Sequence, residues 1–276
     1  MDWEAILPGE AVFSQVDWTR AREVRLRAGS PVFVLCESGP KQGARPLTAR
    51  EVSQAAQALS GYGLAARQKE LRRGFLALPG GHRLGVCGVM GEGGLIEITS
   101  LCLRLAHAMP GVGETVFSRV RGKSALILGP PGSGKTTLLR DLIRLYSMAG
   151  HPVSVADERG EIAACREGKA QLDVGPLTDV ISGMEKGKAL PLLIRAMAPR
   201  VAAADEIGGE DDARAVLEAR RCGVLMLATA HGSSVEEVKK RAGMQPLLGP
   251  DGFDCAVTLA ALGAPPRVTP LGEERG

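Results

Sequence analysis

The sequence predicts an α/β protein in two parts: a smaller mixed α/β domain over residues 1–106, then a mostly parallel, doubly wound sheet with helices on both faces over 107–276. Three observations predict it. From about residue 115, short wholly apolar runs alternate with amphipathic stretches, the pattern of strands buried on both faces and joined by crossover helices. Before that point, runs with period-two alternation flank hairpin turns. Between them lies "AHAMPGVGE" (106–114), small and rich in glycine and proline, as a linker should be.

In the first part, "EVRLR" (23–27) and "PVFVLC" (31–36) read as strands joined by "AGS". Val24 and Leu26 face inward there, Arg25 and Arg27 outward. A helix starts at Thr48, whose spacing to Glu51 fits a capping box, carries Val52, Ala55, Ala56 and Leu59 on its apolar stripe, and stops at Gly61. "GFLALPGGHRLGVCGVM" (74–90) reads as two strands around the turn "PGGH", and "LIEITSLCLRL" (95–105) as another strand.

In the second part, "SALILG" (124–129), "PVSVAD" (152–157), "RVAAAD" (200–205) and "GVLMLAT" (223–229) are the strands. A helix from Lys135 to Ala149 buries Leu138, Leu139, Leu142, Ile143 and Leu145 and ends at Gly150. "ARAVLEARR" is a second helix, and "DCAVTLAAL" with "RVTPL" a closing hairpin. The last residues, "GEERG" (272–276), read as frayed.

Composition narrows the function classes. Hydrophobic residues make up 45% and charged residues 24%, the proportions of a globular protein. A net charge of +3 is too small to point to nucleic acid, and strand alternation accounts for half of the arginine cluster at 20–27. The six cysteines are scattered singly, without a CxxC or Cys/His cluster for zinc. The start, "MDWEAILPGE", is acidic and unlike a signal peptide. No apolar stretch reaches the ~20 residues of a membrane helix. The expectation is a cytosolic chain that reaches a membrane only through something else.

The strongest chemical signal is "GPPGSGKT", Gly129 to Thr136, a full GxxxxGK[ST] between a buried strand and an amphipathic helix. Gly129, Pro130, Pro131, Gly132, Ser133 and Gly134 form a loop whose main-chain N–H groups can surround a phosphate at the positive end of the helix. Lys135 adds a point charge, the Thr136 hydroxyl can ligate Mg²⁺, and Thr137 starts the helix. "RVAAADEIGG" then supplies the carboxylates that hydrolysis requires: Asp205 to anchor Mg²⁺ and Glu206 to polarise water, against the plainer reading of two surface carboxylates. In "ADERGEI", Asp157, Glu158 and Glu161 emerge at the carboxyl edge of the sheet, where ligands of open α/β sheets bind. A solvated loop with Arg159 in local ion pairs explains the same residues. "LATAHGSS" (227–234) ends an apolar run in His231, a loop histidine or a site residue, with Ser234 capping the next helix against Glu237.

Together these segments resemble the secretion and pilus ATPases, in which an arginine-bearing helix, a Walker B strand, an acidic helix start and a histidine box follow in order, as in residues 190–234. Within them the likeness is to the stage III sporulation AA family, the soluble ATPases of endospore-forming bacteria. It extends to "EVRLRAGSPVFV", "RRGFLALPGGHRLGVCG" and "SLCLRLA", and so covers about residues 20–270. The resemblance implies a RecA-like domain in which the histidine-box strand is inserted between the P-loop and Walker B strands. It implies ATP and Mg²⁺ as ligands, Asp157 and Glu158 near the γ-phosphate, and His231 as its sensor. It also implies Arg83 and Arg104 as arginines presented to a neighbouring subunit.

The implied partners are membrane-embedded components of a sporulation channel and further copies of the chain, with a hexameric ring as the suggested form, on the mother-cell side of the membrane. Two departures qualify the carry-over. Asp205 stands where many secretion ATPases have glycine, leaving open whether Glu206 or the 157–158 pair activates water. The tetracysteine zinc module and extra N-terminal domain of larger members are absent, so docking would use another surface. The leading expectation is an ATP-hydrolysing motor; its rival is a nucleotide-gated scaffold with little turnover. A small-molecule kinase is disfavoured, since no lid or acceptor site accompanies the P-loop.

Overall fold

The computed structural model describes residues 3–8, 11–71, 74–91, 94–107, 109–241 and 243–271. The frayed end expected at 272–276 lies outside the described residues. The chain divides into two compact units, Met1–His107 and Ala108–Gly276.

The first unit contains α1 (Trp3–Ile6), β1 (Ala21–Arg27), β2 (Phe33–Cys36), β3 (Gly39–Gln42), α2 (Ala49–Leu59), α3 (Gln68–Leu71), β4 (Leu76–Ala77), β5 (Arg83–Gly91) and β6 (Gly94–Arg104). Its strands form one antiparallel sheet in the order β3-β2-β1-β6-β5-β4. Alternation works as expected along β1, where Val24 and Leu26 are buried and Arg25 and Arg27 exposed. The Thr48 side chain and Glu51 complete a capping box, and the stripe Val52, Ala55, Ala56 and Leu59 joins the sheet's inner residues in one core. Both tryptophans of the chain, Trp3 and Trp18, belong to this unit. Trp3 meets the edge of His82 with ring centroids 4.9 Å apart, and His82 Nδ1 accepts the Ala106 N–H at 2.9 Å.

The second unit contains α4 (Glu114–Val120), β7 (Ala125–Gly129), α5 (Lys135–Met148), β8 (Val153–Asp157), β9 (Thr178–Ser182), α6 (Lys186–Met197), β10 (Val201–Ala204), α7 (Glu210–Arg221), β11 (Leu225–His231), α8 (Val235–Lys239), β12 (Cys255–Thr258) and β13 (Arg267–Pro270). The sheet order is β13-β12-β7-β11-β10-β8-β9, with only β13 antiparallel. Its central strands are buried throughout, as their continuous apolar runs require. Residues of alternating parity feed two cores. Ala125, Ile127, Val155 and Leu227 pack with α4 and α5 on one face. Leu126, Leu128, Ala202 and Ala228 pack with α6 and α7 on the other.

Several elements go beyond the sequence reading, among them the short helices α1 and α3. β3 and β9 each pair with a single neighbouring strand at a sheet edge, and α4 begins within the expected linker. The segment before α4 is fastened to α5: Asp141, buried on that helix, accepts the N–H groups of Gly111 and Gly113 at 2.9 and 2.7 Å. All six cysteines are free. Among the described residues no helix is long and apolar enough to cross a membrane, and no cluster of His, Cys, Asp and Glu could hold a metal ion.

Candidate functional site: a phosphate loop beside two acidic loops

The turn from β7 into α5 has the conformation its glycines allow. Gly132 and Gly134 take φ of +75° and +93°, with Gly134 capping α5. The first N–H groups of α5 are thus left unpaired by the helix and open to an anion. Gly129 is needed for a different reason. A Cβ on it would lie 2.7 Å from the Leu259 carbonyl oxygen and 2.5 Å from Ser133 Oγ. Lys135 is 7% exposed, and its Nζ donates to the carbonyls of Gly129 (2.8 Å) and Pro130 (3.0 Å). Burial lowers its pKa, opposed by the nearby charges of Asp205 and Glu206.

Strand order brings the other groups to this loop. β11 lies between β7 and β10, with His231 opposite Gly129 and Ala228 opposite both Leu126 and Ala204. Asp205 and Glu206 follow β10, so both acidic residues and the end of β11 emerge at the same sheet edge as the P-loop. Thr136 Oγ1 donates to Asp205 Oδ2 at 2.9 Å. The Thr229 hydroxyl donates to Asp205 Oδ1 and accepts the Glu206 N–H at 2.8 Å. Glu206 itself takes a left-handed backbone, φ +51°. Its carboxylate meets His231 Nε2 at 3.1 Å on one oxygen and the Arg159 guanidinium on the other. His231 is therefore the last residue of a strand, not a loop histidine. Burial raises the Asp205 pKa, against the hydrogen bonds from Thr229 and Thr136.

The 157–161 loop divides. Asp157 is 1% exposed, and its two carboxylate oxygens accept the N–H groups of Glu161 (2.8 Å), Ile162 (3.1 Å) and Ala163 (2.9 Å). A carboxylate filled by its own loop closes that loop; the resemblance had implied a place for Asp157 near the γ-phosphate. Glu158 turns instead to Lys186 at 2.7 Å, whose hydrogen bond holds its pKa below the ordinary carboxylate value. Lys186 also lies 3.8 Å from Asp212 in the first turn of α7. One buried ammonium thus ties the loop after β8 to the start of α7. The sequence reading missed Lys186. The available signal was a lysine at a helix start, downstream of one acidic loop and upstream of another.

Arg83 and Arg104, in the first unit, are direct cross-strand partners on β5 and β6. Arg83 stacks over the Phe75 ring, 4.5 Å from its centroid. Arg104 lies 3.6 Å from Glu23 and is 67% exposed at its side chain. The two share one face of the sheet. Beyond the helix start, Ser234 Oγ accepts the Glu237 N–H as expected. The Glu237 carboxylate caps Ser233 rather than Ser234.

A family model described as "Sporulation stage III, protein AA" matches residues 11–276. The chain is 34% identical over 272 residues to stage III sporulation protein AA of Bacillus subtilis, covering 94% of this chain and 89% of that one. Among solved structures it is similar to the Legionella pneumophila ATPase DotB. The TM-score is 0.61 at 16% identity, covering 89% of this chain and 74% of that one. It is also similar to the pilus retraction motor PilT with bound ADP, at a TM-score of 0.58 and 16% identity, covering 89% and 76%. At that identity the likeness is one of fold: the second unit is RecA-like, and its order β7-β11-β10 is the inserted-strand arrangement.

Proposed function

This chain belongs to the sporulation stage III protein AA family, and on that premise we propose that it is an Mg²⁺-dependent ATPase whose turnover drives a membrane-bound sporulation complex. The observation that supports this reading most strongly is the junction of Thr136, Asp205, Glu206 and His231 beside the P-loop. The N–H groups at the start of α5, with Lys135, offset the charge of the β- and γ-phosphates. Thr136 and Asp205 are hard oxygen donors from two elements, already 2.9 Å apart. They suit Mg²⁺, which when bound neutralises phosphate charge.

Glu206 accepts a proton from water as that water's oxygen bonds to the γ-phosphorus and the bond to the β–γ bridging oxygen breaks. The proton goes to a carboxylate oxygen, and ADP and phosphate leave. His231, 3.1 Å from the Glu206 carboxylate, registers whether the γ-phosphate is present. Glu158, oriented by Lys186, supports the same loop cluster.

Copies of the chain assemble, with a hexameric ring as the expected form, and Arg83 or Arg104 completes a neighbouring copy's site. An arginine supplied in this way is worth ~10³–10⁵ in kcat, so a monomer is nearly idle. The ring works on the mother-cell side of the membrane and is held there by membrane-embedded partners. Phosphate release measured against oligomeric state tests this. Lys135→Ala should lose nucleotide binding, while Glu206→Gln should bind ATP and release no phosphate. Rapid turnover by Glu206→Gln would overturn the assigned chemistry. Sporulation that proceeds normally with Glu206→Gln would replace the motor by a nucleotide-gated scaffold.

A further inference from the structure

The sheet of the first unit buries one face in its core and turns the other to water, and its register sets that outer face out in rows. Leu35, Glu23, Arg104 and Arg83 stand opposite one another in the first row. Phe33, Arg25, Cys102 and Gly85 form the second, and Arg27, Ser100 and Cys87 the third. A groove of about 400 Å³ lies over the second and third rows, with Arg25, Arg27, Phe33 and Cys102 in its walls. Gly85 opens it. A Cβ there would meet nothing closer than Cys102 at 3.6 Å, so the missing side chain leaves space rather than a tight contact.

The face is cationic. Its four arginines share one acidic residue, Glu23, whose carboxylate is bonded by Arg25 and lies 3.6 Å from Arg104. Arg27 is exposed and, among the described residues, makes no side-chain hydrogen bond or ion pair. Apolar surface adjoins it: Phe33 in the second row and Leu35, 39% exposed, in the first.

From this arrangement we infer that the groove docks an extended, acidic segment of a protein partner. A carboxylate of the segment meets Arg27, and an apolar side chain two residues away enters the gap over Gly85 and Cys102. An extended chain laid along the strands repeats its side chains on one face every two residues, about 7 Å, which is also the spacing of the rows.

Charge complementarity selects this occupant. A lipid surface is flat and cannot follow a groove cut between side chains. A nucleic-acid strand binds by stacking its bases on aromatic rings. On this face Phe75 lies beneath Arg83, and Phe33 is the one aromatic residue among the described lining. Arg83 and Arg104, proposed to serve a neighbouring copy, stand in the first row, and Ser100 is four residues from Arg104 along β6, about 13 Å. The groove therefore takes its segment without using either arginine.

The test is titration of the full chain with a capped peptide repeating Glu-Gly-Leu-Gly, with Lys-Gly-Leu-Gly as the control, followed by iodoacetamide labelling of the cysteines. The acidic peptide should bind, more weakly as salt is raised. It should slow alkylation of the exposed Cys87 in the groove and spare the exposed Cys222 of the second unit. Arg27→Glu should weaken binding by at least about tenfold, because it sets like charges against each other. Gly85→Leu should do the same by filling the groove with the charges intact. Wild-type melting temperatures show that the variants fold, and Arg27→Ala stands in if the reversal does not. Equal binding of the two peptides, indifference to salt, or binding unchanged in both variants would overturn the inference. So would an Arg27-dependent response to oligothymidylate or to phosphatidylglycerol vesicles stronger than that to the peptide. Loss of self-assembly in Arg27→Glu, with no peptide bound by the wild type, would give the groove to a second copy of the chain and overturn it as well.

Discussion

Thr229 accepts the Glu206 amide hydrogen at 2.8 Å while its own hydrogen goes to Asp205. One fully buried hydroxyl therefore fixes both acidic residues of the loop after β10. Thr229→Val keeps the shape and loses both bonds. It should lower kcat for ATP hydrolysis by about 10–100-fold, because small misplacements of a reacting group are costly, and change KM much less. Thr229→Ser should restore most of the rate. A wild-type kcat in the valine variant would show that Glu206 is held by other means.

Gly129 is closed to any side chain by its neighbours rather than by its φ. Gly129→Ala should cost about 1–3 kcal/mol through overpacking and weaken nucleotide binding, since the new methyl pushes on Leu259 and Ser133. Gly208, near the site but with nothing within 4 Å of its would-be Cβ, is the control: Gly208→Ala should leave the melting temperature nearly unchanged. Equal melting temperatures for the two variants would contradict the close approach.

Lys186→Met removes the ammonium shared by Glu158 and Asp212. The Glu158 pKa lies below its ordinary 4.5 in the folded chain. Its contribution to stability is thus present above about 4.5 and is lost as pH falls through the folded value. The variant should melt a few degrees lower at pH 7, with the gap closing as pH falls below about 4.5. A gap that stays constant with pH would remove Glu158 from the account. Phosphate release should fall together with stability at pH 7.

His82 is held neutral, its pKa lowered from 6.5 to about 4 chiefly by burial. The unfolded chain binds a proton between those values and the folded chain does not, so stability falls as pH drops from about 6.5 towards 4. Tryptophan fluorescence isolates the effect, because both tryptophans report on the first unit. His82→Leu should flatten this pH dependence even if it lowers stability overall. An unchanged slope would mean that other groups cause it.

Local signals carried most of the fold. The capping box at Thr48 and Glu51, the apolar strand before Gly129 and the stripe of α5 are each decided by neighbours a few residues apart. β3 and β9 escaped because edge strands bury one side at most; "GPKQ", with a glycine and a proline, has no strand pattern to see. The site was legible as residue types but not as pairings. Asp157 and Glu158 are adjacent and alike in charge, yet one turns into its own loop and the other reaches Lys186, 28 residues on. That choice depends on where α6 starts relative to β8, and no spacing within "ADERGEI" encodes it. Leu262 likewise comes to the phosphate loop because β12 lies beside β7, a fact of sheet order.

The fastening of Gly111 and Gly113 to Asp141 gives α5 two attachments. The phosphate loop forms its tip, and six residues along, about 9 Å by helical rise, its flank grips the strip of chain that arrives from the first unit. A helix of this length behaves as a stiff rod, so its tip and its flank cannot be set independently. Whatever turns the rod at Lys135 also moves its grip on Gly111 and Gly113, a linkage that runs along one element without crossing the sheet.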